Sequence, residues 1–271
     1  MRFTRRAILR LGMFAAGSVL SAGCGSANEM TSKHREGKIA VPPAANGTAA
    51  PASAQPGPAG PGHVQKLGLG GARDGALYVP HNYAPSKRGH PLTVFLHGAG
   101  GQGERTVRRL TEDADRVGLI VLAPDSRAAT WDLIQGGVGP DVEFIESALR
   151  QTVERYDVDR SRITFSGFSD GASYALSLAL VNGDTFRSVA AFSPGFVQLP
   201  GELEGRPRVF ISHGRSDEVL PFERCGSAIA ARLRTAGYDT TFDPFDGRHE
   251  IPEESLERGF AFVSGAAGGK R

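Results

Sequence analysis

Short apolar runs rich in Val, Ile, Leu and Phe alternate with longer stretches of helical period from about residue 67 to residue 263. The predicted strands are Ala76–Val79, Leu92–Leu96, Leu119–Ala123, Arg162–Phe165, Ser188–Phe192, Arg208–Ser212 and Tyr238–Phe245. The predicted helices are Arg105–Val117, Asp141–Tyr156, Asp170–Val181, Phe222–Ala236 and Pro252–Val263. Strands that alternate with helices form parallel sheets, so the pattern predicts one α/β domain over residues 67–264, with a mainly parallel central sheet and helices on both faces.

The residues before this domain follow two other patterns. Paired arginines and the apolar run Leu11–Ala22 predict a signal peptide over residues 1–24, of the twin-arginine and lipoprotein type, with Cys24 as the lipidation site. The run is shorter than the roughly 20 residues that a transmembrane helix needs. An ordinary cleaved signal peptide, with Cys24 incidental, is the alternative. Residues 25–66 are rich in Ala, Pro and Gly and predict a disordered linker, and residues 265–271 predict a flexible tail.

The charge balance argues against a nucleic-acid partner. Lys and Arg number 31, and Asp and Glu number 29, which gives a formal net charge of +2. Removal of the signal peptide would take away the basic residues Arg2, Arg5, Arg6 and Arg10 and leave the chain slightly acidic. Binding to nucleic acid needs clustered Lys and Arg. We therefore expect no nucleic-acid partner and contact with a membrane only through a lipid on Cys24. The expected location is the cell envelope, or, without the lipid, the periplasm or the medium.

The run Gly167-Phe168-Ser169-Asp170-Gly171 matches the nucleophile-elbow pattern, in which a sharp strand-to-helix turn exposes a serine. The pattern alone is weak evidence, because roughly 0.3 such matches are expected by chance in a chain with this many glycines and serines. Here a β-branched and aromatic run precedes it and an amphipathic helix follows it. This context makes Ser169 the candidate nucleophile.

A serine hydroxyl needs a base to take its proton, and the base needs a carboxylate to orient it. Asp217 follows the predicted strand 208–212, and His249 lies between the last predicted strand and the last helix. We predict Asp217 as the acid and His249 as the base, in the chain order Ser, Asp, His. The alternatives are Glu218 as the acid, a capping role for Asp217 and a solvated loop position for His249. His97 and His213 stand at His-Gly turns and are expected to shape loops.

The run His97-Gly98-Ala99-Gly100-Gly101 follows a predicted strand and presents backbone N–H groups. Such groups stabilise the oxyanion that develops in acyl transfer. We predict an oxyanion hole made by the N–H groups of Ala99 and Asp170. Gly100 is the next candidate donor and, with Trp131, a candidate wall of the substrate pocket; simple packing is the alternative for Trp131. A phosphate-binding loop is the competing interpretation, but the Lys and Ser/Thr of a P-loop are missing.

Cys225 is expected to be free and buried, because Cys24 is the only other cysteine in the chain. It lies in a stretch that predicts an amphipathic helix. Core packing is therefore preferred over a role as a nucleophile.

These motifs resemble the phospholipase/carboxylesterase group of α/β-hydrolases, which is related to dienelactone hydrolases and to feruloyl or polyhydroxyalkanoate esterases. The resemblance covers roughly residues 77–263, and its most specific parts are the runs 96–101, 166–175, 192–195 and 213–217. It implies the three-layer α/β-hydrolase fold and a serine esterase with no metal or organic cofactor. Dienelactone hydrolases carry a cysteine at the elbow, and Ser169 departs from them. Little sequence is left for a lid, which argues against a lipase acting at interfaces.

The expected function is hydrolysis of a carboxylic ester through an acyl-enzyme on Ser169. The expected substrate is a small molecule or another acyl ester. Hydrolysis of a peptide, a thioester, a polyester or a feruloyl ester stays open. A non-catalytic binding module of the envelope is the alternative of another class, because fold alone does not dictate function. The sequence gives neither the acyl and alcohol specificity nor the oligomeric state.

Overall fold

The computed structural model describes residues 36–42, 60–84, 86 and 88–265. The predicted signal peptide, Cys24 and the last residues of the predicted tail lie outside this part of the chain. No helix within it has the length and apolar character needed to cross a membrane.

A single eight-stranded sheet forms the centre of the domain. Its strands are β1 Val64–Lys66, β2 Gly75–Tyr78, β3 His90–Leu96, β4 Ile120–Pro124, β5 Val158–Phe168, β6 Ser188–Phe192, β7 Arg208–Gly214 and β8 Thr240–Phe245. They lie in the order β1-β2-β4-β3-β5-β6-β7-β8. The pairs β1–β2 and β2–β4 are antiparallel, and every pair from β4 to β8 is parallel. The predicted mainly parallel sheet is confirmed.

Six helices cover both faces of this sheet in the described part. They are α1 Gly103–Arg108, α2 Thr111–Val117, α3 Pro140–Arg155, α4 Asp170–Val181, α5 Gly226–Thr235 and α6 Glu253–Ser264. Apolar side chains of α3, α4 and α5 belong to one core cluster, and those of α1, α2 and α6 belong to the cluster on the opposite face. The three-layer arrangement predicted from the alternation of strands and helices is confirmed.

The central strands are apolar because both of their faces are covered. All five residues of β6 and the last six residues of β3 are buried. This burial matches the unbroken hydrophobic runs of parallel strands between two helix layers. Loops that follow the carboxyl ends of parallel strands meet at one edge of the sheet, which is where α/β proteins bind ligands. The loops after β3, β5, β7 and β8 therefore meet there.

The helix predicted at Arg105–Val117 is wrong in one respect, because the structure has two helices with a break at Arg109 and Leu110. The N–H of Leu110 donates to the carbonyl of Val107 in a tight turn, and the Leu110 side chain is buried. Val107, Leu110 and Ala114 keep the three-to-four spacing of a helix face across the break. The hydrophobic pattern consequently could not reveal it.

Two stretches of the predicted linker 25–66 belong to the folded domain. The strand β1 pairs with β2 at the edge of the sheet. Ile39 is buried in the core, and its N–H donates to the Asn182 side chain at 2.9 Å. The N–H of Ala40 donates to Glu146 at 2.7 Å. Both stretches are short and adjoin the Ala, Pro and Gly residues of the predicted linker, so composition alone indicated a linker there.

Candidate active site

Ser169 occupies the sharp turn between β5 and α4. Its backbone has φ 56° and ψ −119°, a conformation that residues other than glycine rarely adopt. The N–H of Ser169 donates to the carbonyl of Phe192 on the neighbouring strand β6 at 2.9 Å. Strain of this kind persists only when the surrounding structure imposes it, and it is common at active sites. The turn thus has the geometry expected of the predicted elbow.

The two glycines of the elbow are required by close packing. A methyl group on Gly171 would overlap the carbonyl oxygens of Leu96 and His97 at the end of β3. A methyl group on Gly167 would overlap the backbone of Gly171. The backbones of β5, the turn and α4 are therefore in direct contact. A larger residue at position 167 or 171 would displace Ser169.

The three predicted triad residues lie together at this edge of the sheet. His249 Nε2 is 2.9 Å from Ser169 Oγ, and His249 Nδ1 is 2.7 Å from Asp217 Oδ2. The Asp217 side chain is fully buried, whereas 15% of the His249 side chain is exposed. The Phe168 ring lies beside the imidazole, with 4.8 Å between the ring centroids. Oriented in this way, the imidazole can accept a proton from the serine while it donates one to the carboxylate.

The contacts of Asp217 distinguish it from Glu218, the alternative acid. Its Oδ1 accepts hydrogen bonds from the N–H groups of Val219 and Leu220 at 2.9 and 2.8 Å, which leaves Oδ2 for the histidine. Glu218 is exposed instead and pairs with the guanidinium of Arg248. Asp217 is therefore the carboxylate that contacts His249.

Sequence reasoning missed a second histidine on Asp217. His213, which was expected to shape a loop, is fully buried, and its Nε2 lies 2.8 Å from the Leu220 carbonyl and 3.2 Å from Asp217 Oδ2. Burial lowers the pKa of His213 and favours the neutral ring. Because a carbonyl oxygen only accepts, the proton belongs on Nε2, from which it can also reach the carboxylate. The His-Gly turn four residues before Asp217 was the only sequence signal for this contact.

The predicted oxyanion-hole residues lie at the start of α4 and in the loop after β3. Asp170 is the first residue of α4, where backbone N–H groups have no partner within the helix. In the loop after β3, the N–H of Gly100 donates to the Ala129 carbonyl, and that of Gly101 donates to the Gly98 carbonyl. Both of these donors are thus already engaged. Ala99 is exposed in the same loop.

Of the two residues predicted to form walls of the substrate pocket, Trp131 is buried and Gly100 is exposed. Trp131 is fully buried, its ring stacks on Tyr174 and lies against His97, and its Nε1–H donates to the His97 carbonyl at 2.9 Å. The alternative of simple packing is therefore correct for Trp131, which holds the loop after β3 from beneath. Gly100 is exposed, and its φ of 66° suits a glycine at the bend of that loop.

The loops around the site are braced by polar contacts. The Thr130 hydroxyl donates to the Asp170 carboxylate at 2.6 Å, which joins the loop after β4 to the start of α4. His97 accepts a hydrogen bond on Nε2 from the N–H of Ser126, and burial lowers its pKa. These contacts agree with the expected loop-shaping role of His97.

The sequence model described as phospholipase/carboxylesterase matches residues 125–265, which is more than half of the 271-residue chain. The protein belongs to the phospholipase/carboxylesterase family. The matched region of this family member includes Ser169, Asp217 and His249, and it begins after the loop that follows β3.

Named esterases are similar to part of this chain, and a solved structure is similar to its fold. The family member is 32% identical over 161 residues to the probable feruloyl esterase C of Aspergillus oryzae, an alignment that covers 56% of this chain and 57% of that protein. It is 28% identical over 152 residues to the putative esterase NocK of Nocardia uniformis, over 52% of this chain and 44% of that protein. The chain thus spans about half the length of the relatives it matches.

A solved structure of Thermogutta terrifontis esterase 2, phosphonylated by cyclosarin, is similar to this fold. It superposes with a TM-score of 0.59 and 20% sequence identity, and the match covers 77% of this chain and 96% of that one. This likeness shows the α/β-hydrolase fold.

A cleft of about 480 Å³ opens beside His249 in this carboxylesterase-family protein. Its lining comes from the loop after β3, from α1 and the turn that follows it, and from the segment between β8 and α6. We call it the α1–α6 cleft. Five apolar side chains form part of its wall, namely Phe95, Leu110, Phe168, Ile251 and Leu256. The cleft reaches both the imidazole and Ala99, so it can hold part of a molecule whose reacting carbonyl lies at Ser169.

Across residues 36–42, 60–84, 86 and 88–265, no group of three or more His, Cys, Asp and Glu side chains is placed to hold a metal ion.

Cys225 is free and buried, as expected, and it precedes α5. Burial raises the pKa of its thiol, which disfavours the reactive thiolate.

Proposed function

We propose that this protein is a serine esterase that hydrolyses carboxylic esters through an acyl-enzyme on Ser169. The observation that carries the proposal is the continuous chain from Asp217 Oδ2 through both nitrogens of His249 to Ser169 Oγ, with distances of 2.7 and 2.9 Å. The positive φ of Ser169 is the backbone geometry expected of a nucleophile elbow and supports the proposal. Membership of the phospholipase/carboxylesterase family supports the same reaction class.

The proposed reaction has two halves. His249 Nε2 takes the proton of Ser169 as Oγ bonds to the ester carbonyl carbon, and the buried Asp217 carboxylate stabilises the imidazolium. The imidazolium then gives its proton to the leaving alkoxide as the ester C–O bond breaks, which leaves the acyl group on Ser169. Water activated by the same nitrogen attacks the acyl-enzyme, and the carboxylic acid and the free serine are released.

We assign the oxyanion hole of this mechanism to the backbone N–H groups of Ala99 and Asp170. The donor of Asp170 stands at the start of α4, where the helix dipole also favours negative charge. Ala99 is preferred over its neighbours because the N–H groups of Gly100 and Gly101 are already bonded to carbonyls. Removal of one such donor typically costs about 3 to 4 kcal/mol of transition-state stabilisation.

Feruloyl esters are a second candidate substrate class within the same chemistry. The name of the Aspergillus oryzae relative, which is 32% identical to this chain over the aligned part, favours it. The half-buried Phe168 ring in the α1–α6 cleft offers aromatic surface for such an acyl group.

A fluorophosphonate probe tests the proposal directly, because a serine activated by a base displaces fluoride from phosphorus. We expect the native protein to be labelled at Ser169 within minutes and the heat-denatured protein to stay unlabelled. Peptide mapping by mass spectrometry identifies the modified residue, and 4-nitrophenyl acetate should compete with the label. Labelling at another serine, such as the similarly strained Ser193, would contradict the assignment.

We also propose that the protein is exported to the cell envelope and anchored through a lipid on Cys24. The paired arginines and the apolar run Leu11–Ala22, which ends two residues before Cys24, support this proposal. The mass of the amino-terminal peptide of the protein extracted from membranes should correspond to an acylated Cys24. A Cys24→Ser variant should move to the soluble fraction, and its retention in membranes would contradict the anchor.

A further inference from the structure

Two arginines line the α1–α6 cleft beside the proposed catalytic residues. Arg105 lies on α1, and Arg109 follows one helical turn later, at the end of the same helix. Residues four apart on a helix stand on the same side, and both of these side chains are exposed. The two guanidinium groups can therefore act on one bound molecule.

Neither arginine has a carboxylate partner in the part of the chain that the structure describes. Their immediate neighbour Arg108 does have one, since it pairs with Glu104 at 2.8 Å. Arg116, Arg162 and Arg258 likewise pair with acidic side chains. The contrast between Arg108 and the two flanking arginines sets the cleft apart from the ordinary charged surface of α1.

Only one acidic side chain, Glu250, lines the cleft among the described residues. Its Oε1 accepts a hydrogen bond from the backbone N–H of Arg248 at 3.2 Å, so it already has a partner. The fixed charge of the lining is thus net positive. Apolar walls beside such charge exclude water and focus its field, which raises the local concentration of anions.

We propose that the α1–α6 cleft selects esters that carry a second, ionised carboxyl group, which Arg105 and Arg109 bind. The inference rests on the proposed esterase function and deepens it, because it names the class of substrate. The guanidinium fork matches a carboxylate in shape as well as in charge. The carboxylate enters as part of the acyl group or as part of the alcohol, depending on which product group occupies the cleft.

The experiment compares matched neutral and anionic esters, one pair for each side of the bond. For the acyl side, the pair is 4-nitrophenyl hexanoate and mono-4-nitrophenyl adipate. For the alcohol side, it is the acetate ester of 4-hydroxybenzamide and that of 4-hydroxybenzoate. For each pair, the measured quantity is the ratio of kcat/KM for the anionic ester to kcat/KM for the neutral ester.

Arg105→Gln, Arg109→Gln and the double variant remove the charges, and Arg108→Gln is the matched control on the same helix. In one of the two pairs we expect the ratio to fall about threefold in each single variant and about tenfold in the double variant. The control should keep the wild-type ratio. Added salt should lower the wild-type ratio and leave that of the double variant nearly constant.

Unchanged ratios for both pairs in the double variant, with neutral turnover intact, would overturn this inference alone. An equal fall in Arg108→Gln would also overturn it, because the effect would then belong to the net charge of α1. Absence of Ser169-dependent turnover of the neutral esters would instead contradict the proposed function on which the inference rests.

Discussion

Replacement of Ser169 by alanine is expected to lower kcat/KM for 4-nitrophenyl acetate by about 10⁴-fold or more. The variant loses the only atom that can form the acyl-enzyme, and His249 keeps its bond to Asp217 but has no hydroxyl to deprotonate. Alanine carries a Cβ like serine and is subject to the same backbone constraint at φ 56°. The fold should therefore survive, and the loss should be almost entirely in kcat.

The matched control for this prediction is Ser147→Ala. The Ser147 hydroxyl lies on the solvent side of α3 and donates to the carbonyl of Glu143 within the helix. We expect that control to keep full activity. Thermal unfolding followed by circular dichroism should show both variants to be folded. A Ser169→Ala protein with activity within tenfold of the wild type would contradict the proposed mechanism.

Replacement of Asp217 by asparagine is expected to lower kcat by about 10³- to 10⁴-fold, as for the corresponding change in a serine protease triad. The N–H groups of Val219 and Leu220 require an acceptor at the Oδ1 position, so the asparagine oxygen must occupy it. The amide nitrogen then replaces Oδ2 and points its hydrogens at His249 Nδ1. The ring can satisfy that donor only by moving its own proton to Nε2, where it can no longer accept the serine proton.

The buried His213 strengthens this prediction. Its Nε2 also faces the Oδ2 position, at 3.2 Å, so the asparagine NH₂ would meet a second donor there. Rotation of the asparagine to relieve this conflict would break both backbone hydrogen bonds to Oδ1. The surrounding contacts thus keep the asparagine NH₂ pointed at His249, the orientation that is incompatible with catalysis.

Glu218→Gln is the control that separates the two neighbouring acids. Glu218 is exposed and pairs with Arg248, so we expect kcat to stay within about twofold of the wild type, as for most surface changes. Steady-state kinetics with 4-nitrophenyl acetate measures both variants. A large loss in Glu218→Gln together with a small one in Asp217→Asn would show that the acid had been assigned to the wrong residue.

Much of the fold followed from the sequence, because its central strands are buried on both faces. Burial of β3 and β6 requires unbroken apolar runs, and such runs are visible without any partner. Prediction failed where an element depends on its neighbours. The strand β1 has only three residues and exists because β2 offers it an edge. Ile39 is buried because Asn182, far along the chain, binds the backbone around it.

The site divides in the same way. Ser169 was identifiable because the elbow is a local motif with a strand before it and a helix after it. Asp217 and His249 were identifiable because each follows a strand, and parallel strands end at one edge of the sheet. The burial of Trp131 could not be predicted because it depends on tertiary packing: its ring lies between His97 and Tyr174, which brings two loops and the helix α4 together.

The sequence by itself determined the fold class and predicted the proposed triad with Glu218 left as an alternative acid, because periodicity and the elbow motif can be recognised within a few residues of the chain. Only the tertiary structure decided that Asp217, and not Glu218, contacts the imidazole of His249. It also decided that His213 contacts the Asp217 carboxylate and that Arg105 and Arg109 share a cleft with His249. These relations join residues that are apart in the chain, and packing of the whole domain sets the distances between them.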